Sequence, residues 1–140
     1  MNMGNGKPFV KSVDLELKRA ERYRIFVSLI VLDLAFVDAL LGDESRRLIE
    51  TIFVRVRAGI REIDNAAVVG CHKLVLLLPE TPRQGAELAA RRLRDTVRSI
   101  LTEQADRFVD QMVPLEMASY PDTAGAKTIR EFLGEFAEAS

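Results

Sequence analysis

Hydrophobic residues along this chain follow two rhythms. From Ile25 to Leu34, IFVSLIVLDL, apolar character is nearly continuous and rich in β-branched residues. That is the pattern of a central strand covered on both faces. Two shorter apolar runs, Ala66 to Val69 and Leu74 to Leu78, are separated by Gly70-Cys71-His72-Lys73. A brief Gly-containing loop between two such runs predicts a β-hairpin, with Pro79 ending its second strand. A further strand is expected around Gln111 to Ser119, closed by Tyr120-Pro121-Asp122.

Between the strands the period lengthens to that of a helix. Leu15, Leu17 and Ala20 alternate with charges, so Val13 to Tyr23 predicts a short helix with Asp14 near its start. Gly42-Asp43-Glu44-Ser45 is a turn and helix-start signal. Leu48, Ile49, Ile52, Phe53, Val56 and Ile60 follow at helical spacing, interleaved with Arg46, Arg47, Arg55, Arg57 and Arg61. Leu88, Ala89, Leu93, Val97 and Leu101 mark a long helix from Gln84 to about Gln104, and a last helix is expected from about Lys127 to Ala137. Met1 to Pro8 reads as loose, and a flexible tail over residues 1–12 leaves residues 13–140 as one domain. The order α-β-α-β-β-α-β-α predicts an α/β fold of the α+β type, a mixed central sheet flanked by helices.

Composition narrows the class. The 140 residues suffice for one domain with a real core, and 48% apolar against 29% charged is ordinary for a globular protein. A net charge of -1 supplies no global field that would draw the chain onto DNA or an acidic membrane, so any anion site must be local. Cys71 is the only cysteine; no intramolecular disulfide can form, and a reducing, cytoplasmic setting is expected. The opening MNMGNGKPF lacks the apolar stretch of a signal peptide. Ile25 to Leu41 is strongly apolar, but it contains Asp33 and Asp38 and is shorter than a bilayer normally demands. A charge near the middle of a span costs roughly 2.5–3.5 kcal/mol, so a buried strand running into a loop or short helix is the better reading.

Candidate chemistry is concentrated between Arg61 and Pro79. Arg61-Glu62-Ile63-Asp64 leaves a helix and enters a hairpin strand. An Arg with an Asp three residues on offers a guanidinium fork and a carboxylate acceptor, a combination suited to a guanine edge or to phosphate. The plainer reading is a solvated ion pair at a helix end, worth ~0–1 kcal/mol. Cys71-His72 invites two readings as well. A metal pair or a nucleophile with its base is one, although a closed zinc site would need carboxylates to complete it. A turn without chemistry is the other, and neighbours on a hairpin tend to point to opposite faces.

The stretch REIDNAAVVGCHKLVLLLP, Arg61 to Pro79, resembles the centre of the GGDEF family of diguanylate cyclases, in which an RxxD motif precedes the signature hairpin by five residues. VLDLAF, ending at Phe36, is similar to the family's first strand with its DxDxF segment. VPLEMASYP, Val113 to Pro121, is similar to its late strand and Tyr-Pro turn. Together these cover roughly residues 14 to 138.

The resemblance implies a degenerate member. Asp33 matches the first acidic position, but Ala35 stands at the second. The signature becomes Gly70-Cys71-His72-Lys73-Leu74, so His72 and Lys73 replace its Asp and Glu and Cys71 its second Gly. Hard Mg²⁺ ions need oxygen ligands, and a lysine there is repulsive. The chain is also about four residues short where the family reads the substrate guanine, and it stops before the family's late phosphate-supporting lysine. The resemblance therefore implies no cyclase activity, no metal and no cofactor. The RxxD motif is the exception: in the family it binds the product, cyclic di-GMP, helped by an Arg on the following helix. That role falls to Arg61, Asp64 and, among Arg91, Arg92 and Arg94, best to Arg92. The expected function is a non-catalytic cyclic di-GMP receptor that pairs with itself or with a signalling partner. The alternative is a ligand-free dimerisation or protein-docking module, and either is compatible with a module cut from a longer chain.

Overall fold

The computed structural model describes residues 6–104, 113–121 and 127–139. Its elements are helix α1 (Gly6–Tyr23), strand β1 (Val27–Asp33), short helix α2 (Ala35–Leu41) and helix α3 (Ser45–Ala58). Strands β2 (Asn65–Val69) and β3 (Lys73–Pro79) form the hairpin, followed by α4 (Arg83–Gln104), β4 (Leu115–Tyr120) and α5 (Ile129–Ala139). The expected α+β architecture, a central sheet flanked by helices, is present.

The four strands lie in the order β2-β3-β1-β4, and every neighbouring pair is antiparallel. Strand-helix alternation had pointed to a mixed sheet, and the reason for the difference is topological. β1 and β2, joined through α2 and α3, run in the same direction but leave a slot between them that β3 fills. β3 and β4, joined through α4, likewise flank β1. Each crossover is a split βαβ unit, so parallel strands never become neighbours.

The near-continuous apolar run of β1 is explained by the layers on both sides. Ile30 and Leu32 point to the face covered by α3 and α4, whereas Val27, Leu29 and Val31 point to the face covered by α1 and α5. In β3, Leu74, Leu76 and Leu78 take the first face and Val75 and Leu77 the second, as the period of two requires. The Ile25–Leu41 segment is thus a core strand and a short helix. No helix among the described residues is long and apolar enough to cross a membrane.

Four expectations about the elements are corrected. Residues 6–12, assigned to a flexible tail, are helical, because Phe9 continues the stripe of Val13, Leu17 and Ala20 that packs on the sheet. Leu15, counted in that stripe, is 56% exposed. In α4 the buried positions include Ala86, Ala90, Leu93 and Val97, while Leu88, expected in the core, is 54% exposed beside a cavity. The start of the expected last strand, residues 111 and 112, lies outside the described residues. The final helix opens two residues later than expected, at a capping box: the Thr128 hydroxyl accepts from the Glu131 amide (3.1 Å) and Glu131 Oε1 from the Thr128 amide (3.3 Å).

Candidate functional site

Helix α3 stops at Gly59, and residues 61–64 turn back toward β2, with the Asp64 amide donating to the Arg61 carbonyl at 3.0 Å. This turn brings the Arg61 side chain onto the Asp64 carboxylate. Arg61 Nε donates to Oδ2 at 3.1 Å, Nη2 to Oδ1 at 2.8 Å, and the Arg61 backbone amide adds a third bond to Oδ2 at 3.0 Å. Nη2 also reaches the Pro79 carbonyl (3.2 Å) and Thr81 Oγ1 (2.6 Å) at the end of β3. The bond to Asp64 holds the guanidinium pKa above its ordinary value, against the opposing effect of burial.

The two partners are unequal. The Asp64 side chain is 4% exposed and the Arg61 side chain 53%. Asp64 was expected to face a ligand beside Arg61; its oxygens are instead occupied by three donors from Arg61. The Nη1 group of Arg61 has no hydrogen bond among the described residues, and the side chain is half exposed. The geometry is therefore neither a loose surface ion pair nor two independent ligand groups. It is one anchored guanidinium.

That guanidinium lies at the edge of a cavity of about 290 Å³ between α3, the end of β3 and α4. Leu76, Leu78 and Leu93 supply apolar lining, and Arg92 joins from α4, so all three sequence-predicted residues meet at one place. Arg91 and Arg94 do not line it. The cavity also holds residues that the sequence did not single out: Arg55 from α3, Thr81, and Gly85 from the first turn of α4. Arg55 sits six residues before Arg61, among the arginines interleaved with the apolar positions of α3, and nothing in that interleaving sets it apart from its neighbours. Neither Arg55 nor Arg92 has an ion-pair partner among the described residues, so the rim carries uncompensated positive charge.

No protein-family model matches the sequence, and no curated protein matches it. Solved structures do match. The diguanylate cyclase SiaD of Pseudomonas aeruginosa, solved with its activator SiaC, superposes with a TM-score of 0.71 at 20% identity over 98% of this chain and 53% of SiaD. The GGDEF domain of YfiN from the same organism gives 0.65 at 22% identity, over 98% of this chain and 87% of that one. The GGDEF domain of DgcB from Caulobacter crescentus, solved with cyclic di-GMP, gives 0.63 at 16% identity, over 99% and 81%. The fold is that of GGDEF domains. The chain spans about half the length of SiaD and most of the isolated GGDEF domains it matches.

At the positions that resemble the GGDEF signature, the hairpin loop turns through Gly70, whose φ of 67° suits a residue without a Cβ. Cys71 is exposed at the loop tip, and Leu74 is fully buried in the core. His72 Nε2 lies 3.7 Å from Asp38 Oδ2, and the other oxygen of Asp38 accepts from Ser45 Oγ at 2.8 Å.

Lys73 is the direct cross-strand partner of Asp33 in the sheet register. Its ammonium group lies 3.6 Å from Glu135 on α5. Glu135 also pairs with Lys127 at 2.6 Å, and Lys127 with Glu116 at 3.7 Å, forming a ladder of alternating charge. Lys127 holds the Glu135 carboxylate below the usual range, with Lys73 assisting. Asp33 Oδ1 accepts from the Ala35 amide at 2.9 Å and so stabilises the start of α2. Among the described residues no three His, Cys, Asp or Glu side chains form a group able to hold a metal ion.

Proposed function

We propose that this chain is a GGDEF-family signalling domain that binds cyclic di-GMP at the Arg61 cavity and has no cyclase activity. One observation carries the reading: arginines from three elements, Arg55, Arg61 and Arg92, line a single cavity with apolar walls. A cyclic dinucleotide presents two phosphodiesters and two flat bases. Guanidinium groups match the first bidentately, and apolar side chains accommodate the second. Arg61 and Arg92 make the ligand contacts. Asp64 acts one step back, by holding Arg61 in place.

The absence of cyclase activity follows from Lys73, which puts an ammonium group where the family resemblance calls for a metal-binding carboxylate. Ligand binding at the α3–α4 face would alter how the domain pairs with itself or with a partner protein in the cytoplasm.

Titration of the purified protein with cyclic di-GMP tests this. Micromolar binding that disappears in Arg61→Ala and Arg92→Ala is expected, and GTP with Mg²⁺ should yield no product at any enzyme concentration. The saturation of Asp64 by Arg61 favours the other reading, a docking module without a nucleotide. That reading wins if saturating ligand gives neither heat nor a shift in melting temperature.

A further inference from the structure

Arg61 is held by more than its carboxylate partner. Its Nη2 lies 2.6 Å from Thr81 Oγ1 and 3.2 Å from the Pro79 carbonyl. The Thr81 hydroxyl proton is committed, since it donates to the same Pro79 carbonyl at 2.9 Å. A hydroxyl whose proton is directed elsewhere can only accept, and what it accepts from is Arg61. One hydrogen of Nη2 thus goes to Asp64, and the other to the Thr81–Pro79 pair.

Thr81 is itself fixed from both sides. Its carbonyl accepts from Ser28 Oγ at 2.7 Å, and Ser28 Oγ shares a 2.7 Å hydrogen bond with Ser119 Oγ. Ser28, Thr81 and Ser119 are all buried. This polar chain ties the loop after β3 to the central strand β1 and to β4. On the cavity side stands Gly85, where an added Cβ would lie 3.0 Å from Thr81 Cγ2. A Cβ at residue 85 would oblige the Thr81 side chain to give by a few tenths of an ångström.

We propose that Thr81, with the space left by Gly85, is a positioning residue that fixes the direction in which Arg61 presents its free Nη1 edge to an anionic ligand. The ligand part of this rests on the cyclic di-GMP reading of the cavity; the locking of Arg61 does not. With Nε and Nη2 committed, the long side chain loses its rotamer freedom on folding and not on binding, so affinity is gained.

Two measurements on Thr81→Val, Thr81→Ser and Gly85→Ala test the proposal. The first is cyclic di-GMP affinity by calorimetry. The second is the rate of rotation about the Arg61 Nε–Cζ bond in the free protein, read by ¹⁵N NMR. Thr81→Val keeps the shape and loses the acceptor. It is expected to weaken binding by about tenfold, as loss of one hydrogen bond to a charged group does, and to speed the rotation. Thr81→Ser restores both, and Gly85→Ala, which obliges Thr81 to give by a few tenths of an ångström, moves both readouts in the direction of Thr81→Val but by less. Should Thr81→Val fail to fold, Gly85→Ala with Thr81→Ser carries the comparison. Wild-type affinity and wild-type rotation in Thr81→Val overturn the proposal. If the wild-type protein binds no cyclic di-GMP, the functional reading falls and the rotation rates alone decide whether Thr81 positions Arg61.

Discussion

Asp64 is buried beneath Arg61 and gives its whole carboxylate to it, while the arginine side chain stays half exposed. The motif is asymmetric in consequence. On the proposed reading, removing Arg61 removes the group that meets a ligand, whereas removing Asp64 leaves that group held only by Thr81 and Pro79.

Asp64→Asn is expected to reduce cyclic di-GMP affinity by about tenfold, because the amide nitrogen that replaces one carboxylate oxygen cannot accept from Arg61 and the opposing charge is lost. Stability should fall by about 1–3 kcal/mol, since Asp64 is buried and its new amide nitrogen faces donors, while the half-exposed guanidinium can be hydrated. Calorimetric titration and a thermal melt of the same samples measure both. A variant that loses stability heavily yet binds normally would show that Asp64 serves the fold and not the site.

Arg55 extends the proposed site beyond the RxxD motif. It lines the same cavity as Arg61 and Arg92 and has no carboxylate partner among the described residues. Arg55→Ala should weaken binding and make the affinity less sensitive to salt, because one attractive charge at the rim is gone. Arg47→Ala, on the same helix but not lining the cavity, is the control. Equal effects of the two substitutions would reduce the role of Arg55 to that of general surface charge.

Much of this arrangement was legible in the sequence, for identifiable physical reasons. The unbroken apolar run of β1 announces a strand covered twice, and Gly70 between two apolar runs announces the hairpin. The spacing from Arg61 to the hairpin places the RxxD motif at a strand entrance, and its family resemblance points to Arg92. What was not legible depends on long-range geometry. Met1 to Pro8, with its glycines and Asn, reads as a loose tail, yet proline is tolerated in the first turn of a helix, and the buried face of α1 begins at once with Phe9. Pairing direction was hidden because the strands that the crossovers connect are never neighbours. Thr81 carries no motif; only the fold brings it to Arg61, 20 positions away in sequence.

The corrected start of α1 has a measurable consequence. Phe9 is 4% exposed and packs in the second core layer with Val13, Leu17 and the α5 residues Phe132 and Phe136. Phe9→Ala should cost about 3–5 kcal/mol, the usual range for a buried phenylalanine, and would be seen as a lower denaturant midpoint. A loose tail would make the substitution neutral.

The charge ladder at the signature position predicts how stability depends on pH. Glu135 is held below its ordinary pKa by Lys127 first and Lys73 second, and Lys127 is raised by Glu135 and Glu116. A lowered carboxylate contributes stability that is present above its unfolded pKa, about 4.3, and is lost as pH falls through the folded value. A raised ammonium contributes stability that is present below its unfolded pKa, about 10.4, and is lost as pH rises through the folded value. The ladder therefore supports a plateau across neutral pH with a fall at each end. The effect is modest, because these side chains are one-third exposed or more and solvent screens them. Glu135→Gln should flatten the acid fall below about pH 5 and part of the alkaline fall, as Lys127 retains Glu116. Lys73→Glu should do the opposite to the fold: it sets two carboxylates together, lowers the melting temperature at neutral pH, and restores part of it on acidification as one of them takes up a proton. Melting curves from acid to alkaline pH for the wild type and both variants check this. A Lys73→Glu protein with an unchanged melting temperature at every pH would mean that Lys73 and Glu135 do not interact in solution.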